Sequence, residues 1–397
     1  MDGFLNPYSP GAGSPPPELA GRDALRKQVA LAIGRIRIGR PAKSLIMVGL
    51  RGVGKTVLLD QLRLDAEADG IQCVRIEAPE DRSLPALLAP RLRLCLLRMS
   101  RIDAAKDAAN RALRALAGFA RSLKIKYADI ELAYDEEPER GLADNGDLEG
   151  DLVALLQQVG NAAKAGNTAV VLFIDELQYV KQAQFAALIS ALHLCAQDRL
   201  PVTLVGAGLP QLRALAGDAK SYAERLFDFP MIGALDRNDA KFAIAKPAAD
   251  EGVDYLPDAI EEIVNQTHGY PYFLQEWGKH TWDVAPQSPI TKGDVQSAAT
   301  QAVAAMDESF FQVRLDRLTP KEKIYLRGMA ELGPGPHRSG DIAASLTRPT
   351  NSLGPVRQSL INKGMIWSPS FGDTAFTVPL FDEFMKRIMP GPEWKTP

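Results

Sequence analysis

Gly49-Leu50-Arg51-Gly52-Val53-Gly54-Lys55-Thr56 decides the reading of this chain. It fits the pattern G-x-x-x-x-G-K-[ST], follows the apolar run SLIMVG (residues 44–49) and precedes the helical pattern TVLLDQLRLDAEADG, which ends at Gly70. A strand before and a helix after is the context that gives this pattern meaning. Glycines let backbone N–H groups turn inward and approach phosphate oxygens without a Cβ in the way. The helix that begins near Lys55 points its N-terminal dipole at the same anion. Lys55 is placed to reach the β- and γ-phosphates, and Thr56 to hold Mg²⁺. Val57 completes the first helical turn of a nucleotide-binding segment.

Working outward, Gln72–Glu77 alternates as a strand, so strand, loop, helix and strand open an α/β sheet. The pattern continues with a helix at Leu148–Ala165, a strand at Thr168–Ile174, a helix at Phe185–Ala196 and a strand at Val202–Gly206. The apolar strand Val170–Ile174 delivers Asp175 and Glu176 at its carboxyl end, where ligands of open parallel sheets sit. Asp175 is expected to orient the magnesium shell and Glu176 to polarise an attacking water. No N-K-x-D guanine motif occurs, which favours ATP over GTP.

Composition agrees with a folded chain. At 397 residues it suggests two or three domains, and 46% hydrophobic with 24% charged residues leaves ample apolar mass for cores. The net charge of −3 excludes a uniformly basic nucleic-acid coat while leaving local patches open. Three scattered cysteines exclude a disulfide framework, and four scattered histidines offer no metal-ligand spacing. The Pro/Gly-rich start lacks the basic and apolar parts of a signal peptide, and no apolar run approaches the ~18 residues of a spanning helix. A cytoplasmic protein without membrane association is the expectation.

From Arg82 to Lys126 eleven Lys/Arg face Asp103 and Asp107, in one long helical pattern. From Asp129 to Asp151 ten acids face Arg140 alone. Between them KIKYADIELAY alternates as a strand or hairpin. This polarity reads either as a binding surface or as a solvated helical face pairing with an acidic loop.

Arg237–Gln301 reads as all helical, and Leu318–Met389 as three short helices followed by a hairpin around Phe371-Gly372-Asp373. Three helices and a hairpin make a winged helix, whose third helix enters the major groove of duplex DNA in many such modules. Thr319–Ile366 carries seven Lys/Arg against three Asp/Glu, and Arg338, Arg348, Arg357 and Lys363 are candidate phosphate contacts. The alternative is a protein-interaction or lid-packing element.

With Leu19-Ala20-Gly21-Arg22-Asp23 upstream, these motifs resemble the AAA+ and STAND branches of P-loop ATPases, nearest to the origin-recognition and replication-initiator-like members. The resemblance implies a five-stranded parallel sheet, a helical lid and a C-terminal winged helix. Its domains would be a flexible lead-in (1–18), an ATPase core (19–235) with a basic insert (about 82–150), the lid (236–305) and the winged helix (306–397). It also implies that Leu19, Gly21 and Arg22 lie in the segment against adenine. His268-Gly269-Tyr270-Pro271 is similar to the G-x-P lid motif of STAND switches, in which Pro271 packs near the nucleotide; the competing reading is a plain helix start. Arg225 stands where relatives place a trans-acting arginine finger, which would make the working form an oligomer; the alternative is a surface arginine paired with Glu224 or Asp228. Val205–Pro210 contains no polar sensor residue, a departure that points to slow, switch-like turnover. The expectation is therefore an ATP- and Mg²⁺-dependent switch engaging duplex DNA. The rivals are a STAND-like regulator binding an unidentified protein partner, and a nucleotide-locked scaffold without turnover.

Overall fold

The computed structural model describes residues 1–11, 13–78, 83–123 and 137–395. The strand or hairpin expected at KIKYADIELAY lies outside them. In chain order the first elements are α1 (Asp23–Arg37), β1 (Ser44–Val48), α2 (Lys55–Ala68), β2 (Gln72–Glu77), α3 (Leu84–Met99), α4 (Lys106–Ser122), α5 (Leu148–Ala165), β3 (Val170–Asp175), α6 (Gln182–Gln197), β4 (Val202–Gly208), α7 (Leu212–Ala219), α8 (Ala223–Leu226) and β5 (Phe227–Asp228). There follow α9 (Arg237–Asp250), α10 (Pro257–Thr267), α11 (Pro271–Val284), α12 (Lys292–Met306), α13 (Val313–Leu315), α14 (Pro320–Ala330), β6 (His337–Arg338), α15 (Ser339–Ser345), α16 (Gly354–Asn362), β7 (Ile366–Trp367), β8 (Asp373–Phe376) and α17 (Phe381–Ile388). Two compact units contain them: Asp23–Val48 with Leu58–Met231, and Met1–Arg22 with Gly49–Val57 and Ile232–Pro397.

The first unit is built on a five-stranded sheet in the order β2-β3-β4-β1-β5, every pairing parallel. Strands β1, β3 and β4 are buried along their whole length, which explains why they read as continuous apolar runs rather than alternating ones. Register sets Asp175 beside Glu77 and Val48 beside Gly208, so these residues mark one end of the sheet. The five-stranded α/β fold expected from the sequence is present.

The basic stretch is helical in its described residues. It is two helices, α3 and α4, separated by a break at Ser100–Ile102 and a 3₁₀ turn at Asp103–Ala105. The Ser100 N–H closes α3 on Leu96, and the next helix restarts to pack Ala109, Ala112, Leu116 and Phe119 inward. Arg111 and Arg114 meet Glu139 at 3.0 and 3.7 Å, so part of the basic face does pair with the acidic loop. Asp151, one of the ten acids, is fully buried and accepts from Ser122 Oγ, the Asn145 backbone and side chain, and Gly146 N–H.

The second unit packs helices α9–α12 and the C-terminal elements on one aromatic core. Tyr272 stacks on Phe310 (4.6 Å), Phe310 meets Phe311 edge-on (5.3 Å), and Phe311 stacks on Phe384 (5.0 Å). Phe310 and Phe311 sit on a π-helical turn, Asp307–Gln312, between α12 and α13. The C-terminal portion holds α14, α15 and α16 with a three-stranded antiparallel sheet in the order β6-β8-β7. Strand β6 and helix α17 were not expected from the sequence. The proline-rich start, residues 1–10, lies along α11 in the opposite direction. The Met1 amino group donates to Ala285 O, Asp2 O accepts from Trp282 Nε1, and Asn6 Nδ2 donates to Lys279 O. Tyr8 is buried and its hydroxyl donates to Ile244 O at 2.5 Å. No helix among the described residues is long and apolar enough to cross a membrane.

Candidate functional site

The phosphate-loop segment belongs to the second unit and is shaped by its glycines. Gly52 (φ +78°) and Gly54 (φ +82°) adopt the left-handed backbone that side chains resist. A Cβ on Gly49 would stand 2.1 Å from the Ile232 carbonyl oxygen, so this position excludes any larger residue. Lys55, nearly buried, turns its ammonium back to the Gly49 and Leu50 carbonyls at 3.0 and 2.7 Å. It opens α2, whose first-turn N–H groups are the donors that an anion would meet.

Three neighbouring segments hold this loop. Arg22 Nη2 donates to Gly233 O at 2.8 Å and Val53 O at 3.4 Å, and burial lowers its guanidinium from the ordinary value against the opposing influence of Asp239. Gly21 (φ +68°) passes so close to Asp239 that a Cβ would stand 2.3 Å from Oδ2. Leu19 is half-buried just upstream. Pro271 is the first residue of α11, and the next residue, Tyr272, donates its N–H to Gly52 O at 3.1 Å. The Arg51 N–H donates to Thr377 O at 2.9 Å. Thr377 is itself fixed in the C-terminal portion, donating its N–H to Met365 O and its hydroxyl to Gly364 O. Gly13 of the lead-in approaches the Thr56 methyl. Tyr272 and Thr377 were not singled out from the sequence, since backbone hydrogen bonds leave no residue-type signature.

In the sheet unit, Asp175 ends β3 fully buried, with Oδ1 accepting the Glu176 N–H at 2.9 Å and Oδ2 within 3.4 Å of Arg75 Nη2. Arg75 in turn donates to Asp60 of α2 at 2.8 Å. Glu176 occupies the left-handed region (φ +52°, ψ +38°), a strained position for a side chain that turns it out of the strand direction. Gln178 Nε2 donates to Glu176 Oε2, and Gln178 Oε1 accepts the Leu209 N–H at 3.1 Å. Among the described residues no group of three His, Cys, Asp or Glu could hold a metal ion. The Thr56 hydroxyl in one unit and the Asp175 carboxylate in the other are each hard oxygen donors, the kind Mg²⁺ takes.

Arg225 is exposed in α8, immediately before β5. The Asp228 carboxylate of its alternative pairing is instead 3.2 Å from Lys43. The four basic candidates of the C-terminal portion separate. Arg348 and Arg338 are exposed, the latter beside Asp373 at 3.1 Å. Arg357 is engaged internally, donating at 2.9 Å to Thr374 Oγ1, Ser368 Oγ and Asp373 O. Lys363 reaches Glu322 at 2.8 Å and Arg317 O at 3.0 Å. These two side chains tie α16 to the hairpin and to α14, an interior use that charge counting does not reveal.

Residues 18–205 match the AAA ATPase domain, and residues 308–385 match a domain of unknown function, DUF8462. No curated protein matches the chain. Among solved structures, the Walker-type ATPase PABY2304 of Pyrococcus abyssi aligns with a TM-score of 0.61 at 15% identity, covering 96% of this chain and 99% of that one. Cdc6p of Pyrobaculum aerophilum gives 0.47 at 15% identity over 98% of both chains. The RuvB Holliday junction branch migration motor of Thermotoga maritima gives 0.43 at 18% identity, over 94% and 95%. At such identity the likeness to the Pyrococcus protein is one of fold.

Proposed function

From an AAA ATPase domain at residues 18–205, we propose that the chain is an ATP-hydrolysing switch that couples nucleotide state to duplex DNA binding by its C-terminal portion. The observation that carries this reading is the pair of hydrogen bonds on adjacent loop residues, Tyr272 N–H to Gly52 O and Arg51 N–H to Thr377 O. A loop that re-forms around phosphates pulls on the lid through the first and on the C-terminal portion through the second. The chain of ring contacts Tyr272–Phe310–Phe311–Phe384 supplies a packed connection between them.

Lys55 and the N–H groups of Gly49–Val57 bind the phosphates in this account, while Leu19, Gly21, Arg22 and Pro271 border the nucleotide. Thr56 and Asp175 are the residues that would hold Mg²⁺, whose chemistry would be to neutralise phosphate charge. Glu176 orients the attacking water, and Arg225 of a neighbouring copy stabilises charge on the transferred phosphoryl group. The C-terminal helices and three-stranded sheet act as a winged helix, with Arg338 and Arg348 as phosphate contacts. The exposed arginines 91, 98 and 101 of the α3 region are a second contact.

Turnover of ATP with Mg²⁺, compared among wild type, Lys55→Ala and Glu176→Gln, tests the enzymatic half. Loss of turnover in both variants, with nucleotide still bound by Glu176→Gln, is expected. Equal turnover in all three overturns it.

A further inference from the structure

We propose that Gln178 is a positioning residue that fixes the carboxylate of Glu176 by bracing it against the tip of β4. The inference rests on the reading of Glu176 as the residue that orients the attacking water. Gln178 lies on the 3₁₀ turn Leu177–Tyr179, two residues beyond Glu176. Its side-chain amide is engaged at both ends. Oε1 accepts the Leu209 N–H at 3.1 Å, just past the end of β4, and Nε2 donates to Glu176 Oε2.

The two ends determine one another. A backbone N–H can meet only the oxygen of the amide, so the nitrogen must face the other way, toward an acceptor. The carboxylate of Glu176 is that acceptor. Gly208 makes the arrangement feasible: a Cβ there would stand 2.3 Å from Gln178 Oε1 and 2.4 Å from Leu212 Cδ1. The absence of a polar side chain along Val205–Pro210 therefore acquires a physical reason. That strand end supplies a backbone N–H and vacant space, and Gln178 supplies the polar group. Glu176 itself sits in a left-handed backbone conformation that needs surrounding support, and the amide provides some of it from outside the strand.

A group that positions a general base acts through that base, which gives the test its form. Gln178→Glu is the informative substitution. It keeps the length and keeps an oxygen facing the Leu209 N–H, and replaces the donor facing Glu176 with a carboxylate oxygen that repels it instead of holding it. Steady-state ATP hydrolysis and nucleotide affinity would be measured for wild type, Glu176→Gln, Gln178→Glu and the double variant. The expected result is a fall in kcat of ~10²-fold for Gln178→Glu, with KM and nucleotide affinity unchanged. In the Glu176→Gln background the same change should then leave the residual rate unaltered. Wild-type turnover in Gln178→Glu, alongside an inactive Glu176→Gln, would overturn the role of Gln178 while leaving that of Glu176 standing. A loss that appears in KM, or that multiplies undiminished onto Glu176→Gln, would show a structural role and overturn it as well. Equal turnover in wild type and Glu176→Gln would instead remove the premise about Glu176, a distinguishable failure.

Discussion

Replacing Lys363 with methionine separates a structural cation from a DNA contact. The Lys363 ammonium lies 2.8 Å from Glu322, whose carboxylate is 3% exposed and also accepts from the Thr319 N–H and the Ser359 hydroxyl, both at 2.7 Å. Burial alone would raise this carboxyl, yet the hydrogen bonds from Lys363, Thr319 and Ser359 outweigh it and hold it down at about 2. Removing one charged partner from a carboxylate that retains two others costs about 2 kcal/mol, since a third of the Lys363 side chain is solvated. With a urea slope of ~2 kcal/mol per molar, the midpoint of this unit falls by roughly 1 M. All four tryptophans (Trp277, Trp282, Trp367 and Trp394) lie in the same unit, so tryptophan fluorescence reads its unfolding without interference from the sheet. The pH dependence has a definite sign. A depressed carboxyl contributes stability above its unfolded value, ~4.3 for Glu, and loses it as pH falls toward about 2. The midpoint difference between wild type and Lys363→Met is therefore full at pH 7 and shrinks below pH ~4. An unchanged midpoint at pH 7, with DNA affinity lost, would refute the assignment and restore Lys363 as a phosphate contact.

Three further outcomes follow from other contacts. Gly278→Ala would drive a methyl to within 2.6 Å of the Tyr8 ring, so it should release residues 1–10 to proteolysis and cost about 2–3 kcal/mol, with Tyr8→Ala having a similar effect. Arg357→Ala should lower the same tryptophan-detected midpoint by roughly 1 M urea without changing the salt slope of DNA binding, whereas Arg348→Ala should reduce that slope by ~0.9 and leave the midpoint unchanged. Arg225→Ala should lower turnover by ~10³-fold, whereas unchanged turnover would leave Arg225 a surface residue.

The sheet was legible because burial on both faces writes itself as uninterrupted apolar runs. Val170–Asp175 and Ser44–Val48 are the clearest instances. The phosphate loop was legible because positive φ demands glycine, as Gly52 and Gly54 show. Helix α14 announced itself through Thr319, Pro320 and Glu322, a capping box with proline at the first turn. Helix α17 carried a readable signal that was missed: Phe381, Phe384, Met385 and Ile388 repeat at three and four residues, close behind a hairpin that drew attention to itself. Strand β6, two residues long, has no period to detect.

Charge was the least legible property. Asp151 and Glu322 count as surface acids in any tally, yet both are buried brackets, and Lys363 and Arg357 serve interior bonds. The bracing of Glu176 by Gln178 lay close at hand in the order Asp175-Glu176-Leu177-Gln178. What decides it is the backbone N–H of Leu209 and the space over Gly208, which composition and periodicity do not encode.

The central claim is that nucleotide at the phosphate loop governs DNA engagement by the C-terminal portion. Its most direct test is fluorescence anisotropy of labelled random-sequence duplex DNA, titrated with the full chain and ATP or ADP across a salt series. The account predicts tighter binding with ATP than with ADP, weakening steeply as salt rises. The same affinity in both nucleotide states, or no binding at low salt in either, would contradict it.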